Sequence, residues 1–355
     1  MKKLTAIDCF SGAGGLSLGL SQAGFQLSWA FDSSQKAIDT HNRNLGNHAV
    51  CLKAEDLTSD RLAKLKDQIG ECTLVAGGPP CQGFSRQRRG ADLDPRNDLV
   101  NVFFSIVKYL NPQFFLLENV PALQGPRGKP YLEALHRSAE ESGYIVHTSI
   151  LNAADFGVAQ VRRRFFAVGE RSVGLSNYEF PKPLVTSANY KTVREAIGNL
   201  PDPAVSVQGL PANHEIGNVS PLNIRRISYV PQGGGREFIP DELKLKCHRV
   251  SVEVAGHRNV YGRLTWDRPA NTITTKCNSF TRGMFAHPSA DRNITMREAA
   301  RLQGFPDDFV FSGSRVDVAH QVGNAVPPPL AQAMGKSILS ALLQANKASS
   351  RRLKS

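Results

Sequence analysis

One cysteine of this 355-residue chain stands where a nucleophile is expected. The apolar residues 73–76 predict a short buried strand, and residues 77–80 (Gly-Gly-Pro-Pro) combine a sharp bend with a rigid support for Cys81. Ligands of open α/β folds bind beyond the carboxyl ends of the strands, which is where this thiol would lie. Arg86, Arg88 and Arg89, just downstream, could supply the electropositive setting that favours its reactive thiolate form. A small buried cysteine in a proline turn is the weaker interpretation, because loops that follow strands often carry functional residues.

A carboxylate and a group of basic residues follow two further predicted strands. A predicted strand over residues 113–117 leads into Glu118, which would face the same edge of the sheet as Cys81. Strand alternation puts Gln160, Arg162 and Arg164 on one face, where they could grip a base edge and phosphates. Taken alone, Glu118 could also be a surface residue and the three polar side chains a basic strand end.

The N-terminal residues predict a nucleotide-type pocket. A strand over residues 5–7 is followed by a glycine-rich turn and an amphipathic helix from about residue 16 to 23, whose amides offer hydrogen-bond donors. The turn is neither a clean GxGxxG motif nor a P-loop, so on its own it could be only a turn. A second strand ends at Asp32, whose carboxylate can accept hydrogen bonds from ribose hydroxyls and can also cap the next helix.

The positive charge of the chain is concentrated in its second half. The formal net charge is +12, and residues 171–290 carry an excess of six positive charges, against two in residues 1–170. Residues 171–290 also replace the alternation of strands and helices with prolines, glycines and short polar segments. We therefore expect a polyanion-binding module attached to an α/β core, with a merely soluble basic surface as the alternative.

The cysteines and the apolar runs indicate in which cellular compartment the protein is expected. None of the six cysteines has CxxC spacing, so we expect no zinc or redox site and free thiols in a reducing compartment. Asp8 interrupts the apolar N-terminal stretch, and no apolar run has the length of a membrane span. These features predict a cytoplasmic protein without a signal peptide or a membrane segment.

The segment around Cys81 resembles the Pro-Cys motif of the DNA (cytosine-5)-methyltransferases. Similar matches occur at Asp8-Cys9-Phe10-Ser11-Gly12, at Glu118-Asn119-Val120, at Gln160-x-Arg162-x-Arg164, and at residues 295–306 and 321–328. The resemblance implies a Rossmann-like, S-adenosylmethionine-dependent methyltransferase core of the α/β class, with a smaller, irregular, mainly β target-recognition domain. The implied bounds are 1–175 for the catalytic domain, 176–290 for target recognition and 291–343 for the return to the catalytic domain. A disordered basic tail is expected from 344 to 355.

The resemblance also implies a mechanism and a set of residues. Cys81 adds to C6 of a flipped-out cytosine, Glu118 contacts N3, Arg164 holds O2 and Arg162 orients Glu118. C5 then attacks the methyl group of S-adenosylmethionine, a base removes the C5 proton and the thiolate leaves. The cofactor contacts implied are Phe10, Gly12, Gly14, Gly15, Leu16, Asp32, Ser33, Asp56, Leu57, Pro79, Asn324 and Val326. The family usually has Glu where this chain has Asp32, which is one methylene shorter.

Candidate DNA contacts lie in two regions. The loop after Cys81 offers Arg86, Gln87 and Arg88, and Gln87 could enter the duplex where the target base leaves. The glycine loop of residues 232–236 offers Gln232 and Arg236, since Arg pairs bidentately with guanine. Further basic candidates for phosphate or base contacts are His248, Arg249, Arg258 and Arg263.

Together, the residue patterns and the resemblance predict a DNA cytosine-5 methyltransferase that acts on a specific double-stranded sequence. The resemblance implies a monomeric, nucleoid-associated bacterial enzyme, solitary or accompanied by a restriction endonuclease that acts on the same site. A transfer-RNA cytosine-5 methyltransferase is the main alternative, although its Cys-Phe-Thr segment is missing from residues 171–290. A DNA-binding regulator with a dead site would not need the acid and the nucleophile together. A Rossmann dehydrogenase would leave Pro80-Cys81 and the Gln-x-Arg-x-Arg segment without a purpose.

Overall fold

The computed structural model describes residues 3–80, 99–171, 177–205, 209–246 and 259–352, with side chains as far as residue 345. Its main feature is a sheet of seven strands in the order β3-β2-β1-β4-β5-β7-β6. The strands are β1 (Thr5–Cys9), β2 (Gln26–Asp32), β3 (Ala49–Cys51), β4 (Leu74–Gly77), β5 (Phe114–Asn119), β6 (Tyr144–Asn152) and β7 (Arg163–Arg171).

Six strands of this sheet point in the same direction, and β7 is reversed. β3, β2, β1, β4 and β5 pair in parallel, whereas β7 lies antiparallel between β5 and β6. Strands β4 and β5 are buried along their whole length, which explains their continuous apolar sequences. This is the α/β, Rossmann-like core that the resemblance implied.

The described helices are short except for the last. They are α1 (Gly15–Ala23), α2 (Gln35–Leu45), α3 (Ser59–Ile69), α4 (Leu99–Leu110), α5 (Lys129–Glu141), α6 (Val193–Ile197), α7 (Pro221–Ile227), α8 (Met296–Leu302), α9 (Arg315–Asn324) and α10 (Pro328–Arg352). Short 3-10 helices include Ala54–Asp56, Pro121–Gln124 and Ala153–Phe156. None of the helices in the described ranges is both long enough and apolar enough to cross a membrane.

The strand register brings the functional ends of the parallel strands into line. Cys9 at the end of β1 pairs with Gly77 at the end of β4, and Gly77 pairs in turn with Leu117, one residue before Glu118. The glycine turn, the Pro-Pro segment and Glu118 therefore leave the sheet at the same edge, where α/β folds bind their ligands.

Two compact units divide the chain. Unit 1 consists of the described residues within Met1–Phe156, Arg163–Pro183 and Val326–Ser355, and it contains the seven-stranded sheet. Unit 2 consists of those within Gly157–Arg162 and Leu184–Ala325. The chain thus returns to unit 1 at residue 326, later than the boundary expected at 291, because α8 and α9 belong to unit 2.

Unit 2 is irregular, as expected, but it contains fewer strands than a mainly β domain. Its described strands are β8 (Gly262–Arg263) and β9 (Met284–Ala286), and a small core includes Ile227, Tyr261 and Phe280. The prolines and glycines that disrupted the pattern in the sequence account for this, and many backbone hydrogen bonds of unit 2 close turns, such as Gly234 N to the Pro231 carbonyl and Cys277 N to the Thr274 carbonyl.

The expected disordered tail is wrong for most of its length. Helix α10 begins two residues before the expected Leu330 and continues to Arg352. Ala, Leu, Gln and Lys are strong helix formers, and they extend the helix beyond the apolar stretch on which the shorter prediction rested. Of the six cysteines, the described Cys9, Cys51, Cys72 and Cys277 are free thiols, and all but Cys51 are buried.

Candidate active site

The described part of the expected nucleophile segment, residues 77–80, follows the end of β4 beside the end of β5. Cys81, Arg86, Gln87, Arg88 and Arg89 lie outside the described residues, whereas Pro79, two residues before the thiol, is buried. The side-chain amide of Asn119 donates to the carbonyl oxygen of Pro79 at 3.1 Å. A Cβ on Gly78 would lie 3.0 Å from Glu118 Oε2, so the glycine leaves room for the carboxylate beside the turn.

Glu118 forms an ion pair with Arg164 across neighbouring strands. Arg164 Nε lies 3.0 Å from Glu118 Oε1, and the two side chains are 14% and 10% exposed. Burial lowers the pKa of Arg164, and the neighbouring Glu118 carboxylate partly offsets that effect. A terminal nitrogen of Arg164 also donates to the carbonyl oxygen of Arg163 at 2.8 Å. The acid is therefore held by a fixed cation at the edge that leads to Cys81.

Arg162 has a different environment from the one expected. Its two terminal nitrogens donate to the carbonyl oxygens of Ile273 and Gly323, each at 2.8 Å, and the side chain is buried in unit 2. The ion pair with Glu118 is made by Arg164, which the sequence had assigned to cytosine O2. The buried Arg162 and the largely buried Arg164 agree with the expected alternation, and the contact of Arg164 with cytosine O2 stays a prediction.

Gln160 is a buried structural residue rather than an exposed DNA contact. Its amide nitrogen donates to Gln303 Oε1 at 2.7 Å and to the Leu302 carbonyl at 3.3 Å, and its oxygen accepts from Ile273 N at 2.7 Å. All of these partners belong to unit 2. Since the amide is fully buried and satisfied, the prediction that it contacts DNA is wrong for this conformation.

The glycine turn after β1 has the backbone geometry of a ligand-binding loop. Phe10, Gly12 and Gly14 have φ values of 57°, 53° and 95°, in the left-handed region that glycine adopts most readily. Gly12 N donates to Asp32 Oδ2 at 2.9 Å, and Ser34 N donates to Asp32 Oδ1 at 2.9 Å. Asp32 therefore ties the turn to the end of β2, and burial raises the pKa of its carboxyl group.

Comparison with known proteins identifies this arrangement. Residues 4–340 match the family described as C-5 cytosine-specific DNA methylase. The chain belongs to that family. The match spans both units, so the residues on the sheet edge and those of unit 2 are parts of one family architecture.

Relatives and solved structures agree with the family match. The chain is 39% identical to the Type II methyltransferase M1.HphI of Haemophilus parahaemolyticus, over 95% of this chain and 87% of the relative. It is 34% identical to the Type II methyltransferase M.NgoFVII of Neisseria gonorrhoeae, over 94% and 86%. A crystal structure described as a DNA modification methyltransferase encoded within an E. coli prophage has a TM-score of 0.76 and 26% identity, covering 96% and 99%.

The turn of this cytosine-5 methylase has the features that a nucleoside-containing ligand requires. No atom lies within 4 Å of a Cβ built on Gly12, and the buried Ser11 hydroxyl has no partner among the described residues. Phe10 is half-buried against Phe31, with ring centroids 5.1 Å apart. A nucleoside needs open space, an apolar ring and polar atoms together, and this turn offers all three.

The other expected cofactor residues occupy varied positions. Gly14, Gly15 and Leu16 are buried at the start of α1, so only their backbone could face a ligand. Ser33 and Asp56 are exposed after β2 and β3, and Leu57 is half-buried. Val326 is buried in unit 1, whereas Asn324 is the exposed last residue of α9 in unit 2. Their roles in binding stay predictions.

The expected DNA contacts of unit 2 are only partly accessible. Gln232 is exposed, and its oxygen accepts from Trp266 N at 3.2 Å. Arg236 is only 2% exposed, because the glycines before it fold back and its backbone bonds to Val260, so it does not form the exposed loop tip expected. Arg263 is buried and donates to four carbonyl oxygens and to Asp291, which makes it a structural residue. His248, Arg249 and Arg258 lie outside the described ranges.

Sequence reasoning missed two features of the site. Asn119 was noted only as part of the Glu-Asn-Val match, although a polar residue directly after a catalytic candidate at a strand end is a usable signal. Asp8 was noted only as a break in the apolar N-terminal stretch and as part of the first motif match, but it is 1% exposed and accepts a hydrogen bond from Ser17 Oγ at 2.6 Å. Ser17 occupies the third position of α1, where an acceptor from the preceding strand can cap the helix.

Proposed function

We propose that this cytosine-5 methylase methylates C5 of a flipped-out cytosine within a specific double-stranded DNA sequence. The observation that carries the proposal is the Glu118–Arg164 ion pair at the sheet edge that leads through Pro79 to Cys81. An acid fixed in this way beside a nucleophile segment suits attack on an electron-poor ring.

The chain's own groups supply the activation of the base. The Cys81 thiolate forms a bond to C6, and the electrons of the C5–C6 double bond move toward N3, where Glu118 donates a proton or a hydrogen bond. This prevents negative charge from building up on the ring. Arg164 keeps Glu118 in place and offers its guanidinium toward the base. S-adenosylmethionine, when bound, supplies an electrophilic methyl group to C5.

Cofactor binding is assigned to the glycine turn and to Asp32. The backbone from Phe10 to Leu16 would surround the amino-acid end, and Asp32 would accept from the ribose hydroxyls through the lone pairs left free by its two backbone bonds. Ser33, Asp56, Leu57 and Pro79 would contact the nucleoside side, and Asn324 and Val326 are assigned from the family motif.

The target base has to leave the duplex because C5 and C6 are shielded in the stack. Flipping costs a few kcal/mol, which contacts in the pocket and with phosphates must offset. Arg86, Gln87, Arg88 and the exposed Gln232 are the proposed DNA-side residues. We propose that the enzyme is a cytoplasmic, nucleoid-associated monomer, solitary or paired with a restriction endonuclease, as the Type II names of its relatives suggest.

The test is methyl transfer by wild type and by Cys81→Ser. We expect Cys81→Ser to bind S-adenosylhomocysteine as wild type does and to transfer no tritiated methyl group to DNA. Bisulfite sequencing of DNA from cells that express the wild type should reveal one methylated sequence. Transfer at the wild-type rate by Cys81→Ser would exclude the covalent mechanism. Methylation of transfer RNA instead of DNA, assayed side by side, would favour the alternative substrate.

A further inference from the structure

A buried hydrogen-bond chain lies directly beneath the glycine turn. Ser17 Oγ lies 2.6 Å from Asp8 Oδ2 and 3.0 Å from His41 Nε2. Asp8 is 1% exposed, and Ser17 and His41 are fully buried. The three residues come from β1, α1 and α2, so the chain joins the strand before the turn, the helix after it and the helix behind it.

The Asp8–Ser17–His41 hydrogen-bond chain supports the glycine turn by side-chain packing as well as by hydrogen bonds. Gly14 is the N-cap of α1 and provides no side-chain cap, while the Ser17 hydroxyl in the first turn of α1 donates to Asp8 Oδ2. A Cβ on Gly14 would lie 2.8 Å from His41 Cδ2, so the imidazole packs against the turn itself. Through this bond the Asp8 carboxylate is held at the N-terminus of α1, where the helix dipole favours a negative charge, and the His41 ring packs against the turn.

The protons of the Asp8–Ser17–His41 chain can be arranged in two ways, depending on whether Asp8 is ionised. A serine hydroxyl has one hydrogen, so Ser17 donates either to Asp8 or to His41. If Asp8 is ionised, Ser17 donates to it and His41 donates through Nε2–H. If Asp8 is protonated, it can donate to Ser17, which then donates to His41. The ionised form gives the N-terminus of α1 an anionic cap, which the helix dipole favours.

The surroundings allow Asp8 to change its charge near neutral pH. Burial raises the pKa of Asp8 to about 7, and its neighbour Asp32 adds to the effect. Burial lowers the pKa of His41 to about 3, with a contribution from His48, and also lowers the pKa of His48. Cys9 also faces Asp8, and burial raises the pKa of its thiol. Asp8 is thus the group of this cluster that titrates within the working range.

We propose that Asp8, Ser17 and His41 are positioning residues that hold the glycine turn in its cofactor-binding conformation, and that cofactor affinity rises when Asp8 ionises. The inference rests on the proposed binding of S-adenosylmethionine at this turn. The negative charge both caps α1 and attracts the sulfonium cation, so the ionised chain favours the bound state.

The experiment measures binding of S-adenosylhomocysteine and S-adenosylmethionine by calorimetry at pH 6, 7 and 8. A single group titrating at about 7 allows wild-type affinity to rise by at most about tenfold from pH 6 to pH 8. We expect a rise that approaches this limit for S-adenosylmethionine and a smaller rise for the uncharged-sulfur product. Asp8→Asn keeps the shape of the side chain without its charge, and we expect its affinities to be nearly independent of pH.

The hydroxyl is tested by Ser17→Ala, with Ser17→Thr as the variant that restores it. We expect Ser17→Ala to raise the KM for S-adenosylmethionine about tenfold, the cost of one lost charge-assisted hydrogen bond, with kcat at saturating cofactor within about twofold of wild type. Ser17→Thr should recover part of the loss. Ser28→Ala removes a hydroxyl that bonds to Ala6 in the same sheet, and it should bind as wild type does.

Each negative result of these binding experiments leads to a different conclusion. If wild type does not bind S-adenosylhomocysteine, the proposed function fails at its cofactor. If wild type binds but Ser17→Ala binds equally well, or the pH dependence persists in Asp8→Asn, the positioning role is wrong. Thermal melting and DNA affinity show whether a variant is folded. A variant that does not fold leaves the decision to the pH dependence of the wild type, and a flat wild-type profile also overturns the proposal.

Discussion

The side-chain amide of Asn119 donates a hydrogen bond to the carbonyl oxygen of Pro79, and Asn119 Oδ1 accepts from Val120 N. One residue thus joins the end of β5 to the segment that leads to Cys81. We expect Asn119→Ala to lower kcat about 10- to 100-fold, because a nucleophile displaced by even 1 Å loses much of its rate. The KM for S-adenosylmethionine should stay within about twofold. Tritiated methyl transfer to DNA measures both quantities.

The matched control is Asn101→Ala on the exposed face of α4, which removes the same amide away from the site. It should behave as wild type in both parameters. Equal kcat values for Asn119→Ala and wild type would show that the Pro79 contact does not position the nucleophile.

The ion pair between Arg164 and Glu118 yields a second prediction. Replacing Arg164 by Ala leaves a carboxylate that is only 10% exposed without its cation. Removing one partner of a buried pair costs about 3 kcal/mol or more of unfolding free energy, and the acid also loses its orientation. We expect Arg164→Ala to lower kcat by at least about 100-fold and to reduce stability in urea denaturation.

Arg163 is the control for that experiment, because it is the next residue on the same strand and is exposed. Arg163→Ala removes an equal side chain from the opposite face, and its backbone oxygen still accepts from Arg164. Its kcat should stay within about threefold of wild type, as surface substitutions usually have small effects. Similar losses in both variants would mean that general positive charge, rather than the ion pair, matters.

The sheet and its functional edge could be predicted from the sequence because both depend on local patterns. Short apolar runs followed by glycine, proline or an acid set β1, β4 and β5, and parallel pairing then aligns their ends. Alternation also predicted which of Gln160, Val161 and Arg162 are buried together.

The sequence could not show which distant residues contact each buried polar side chain. Gln160 and Arg162 meet Ile273, more than 100 residues away, and a strand pattern says which face a side chain takes but not what covers it. The same reason explains why Arg263 was expected to contact DNA, since its acceptors include the carbonyl oxygens of Ile227, at the end of α7, and of Val230. The length of α10 was not predicted because its last turns depend on the helix propensity of their residues and show no apolar periodicity.

The buried amide of Gln160 leads to a third prediction. It makes three hydrogen bonds with Ile273, Leu302 and Gln303, so Gln160→Leu leaves several buried polar groups unsatisfied. We expect a loss of about 2–4 kcal/mol in unfolding free energy. The methylated sequence, read by bisulfite sequencing, should not change, because the amide does not face DNA in this conformation.

A double variant separates network loss from loss of a base contact. Gln303 is the direct partner, so Gln160→Leu/Gln303→Leu should destabilise by less than the sum of the single variants. A relaxed methylation sequence in Gln160→Leu at full stability would instead return this residue to the DNA-contacting set.

The last prediction concerns stability against pH, where Asp8 and His41 have opposite effects. The pKa of Asp8 is raised from 3.8 to about 7, so the folded state binds its proton more tightly and this stabilisation is lost as pH rises through 7. The pKa of His41 is lowered from 6.5 to about 3, so the folded state keeps it neutral and stability is lost as pH falls below 6.5. Between pH 4 and 6.5 the two slopes oppose each other.

Single variants should therefore uncover opposite trends in urea denaturation at pH 4.5, 5.5, 6.5 and 7.5. Relative to wild type, Asp8→Asn should be most destabilised at pH 4.5 and least at pH 7.5, because it lacks the proton-linked stabilisation. His41→Asn should be most destabilised at pH 7.5. The difference from wild type should shrink toward pH 4.5, because the wild type loses stability there as the unfolded chain protonates His41, whereas the variant has no imidazole to protonate. If both differences changed in the same direction with pH, burial of the Asp8–Ser17–His41 chain would not set these ionisations. Opposite trends would identify the chain as the main pH-sensitive element beneath the glycine turn.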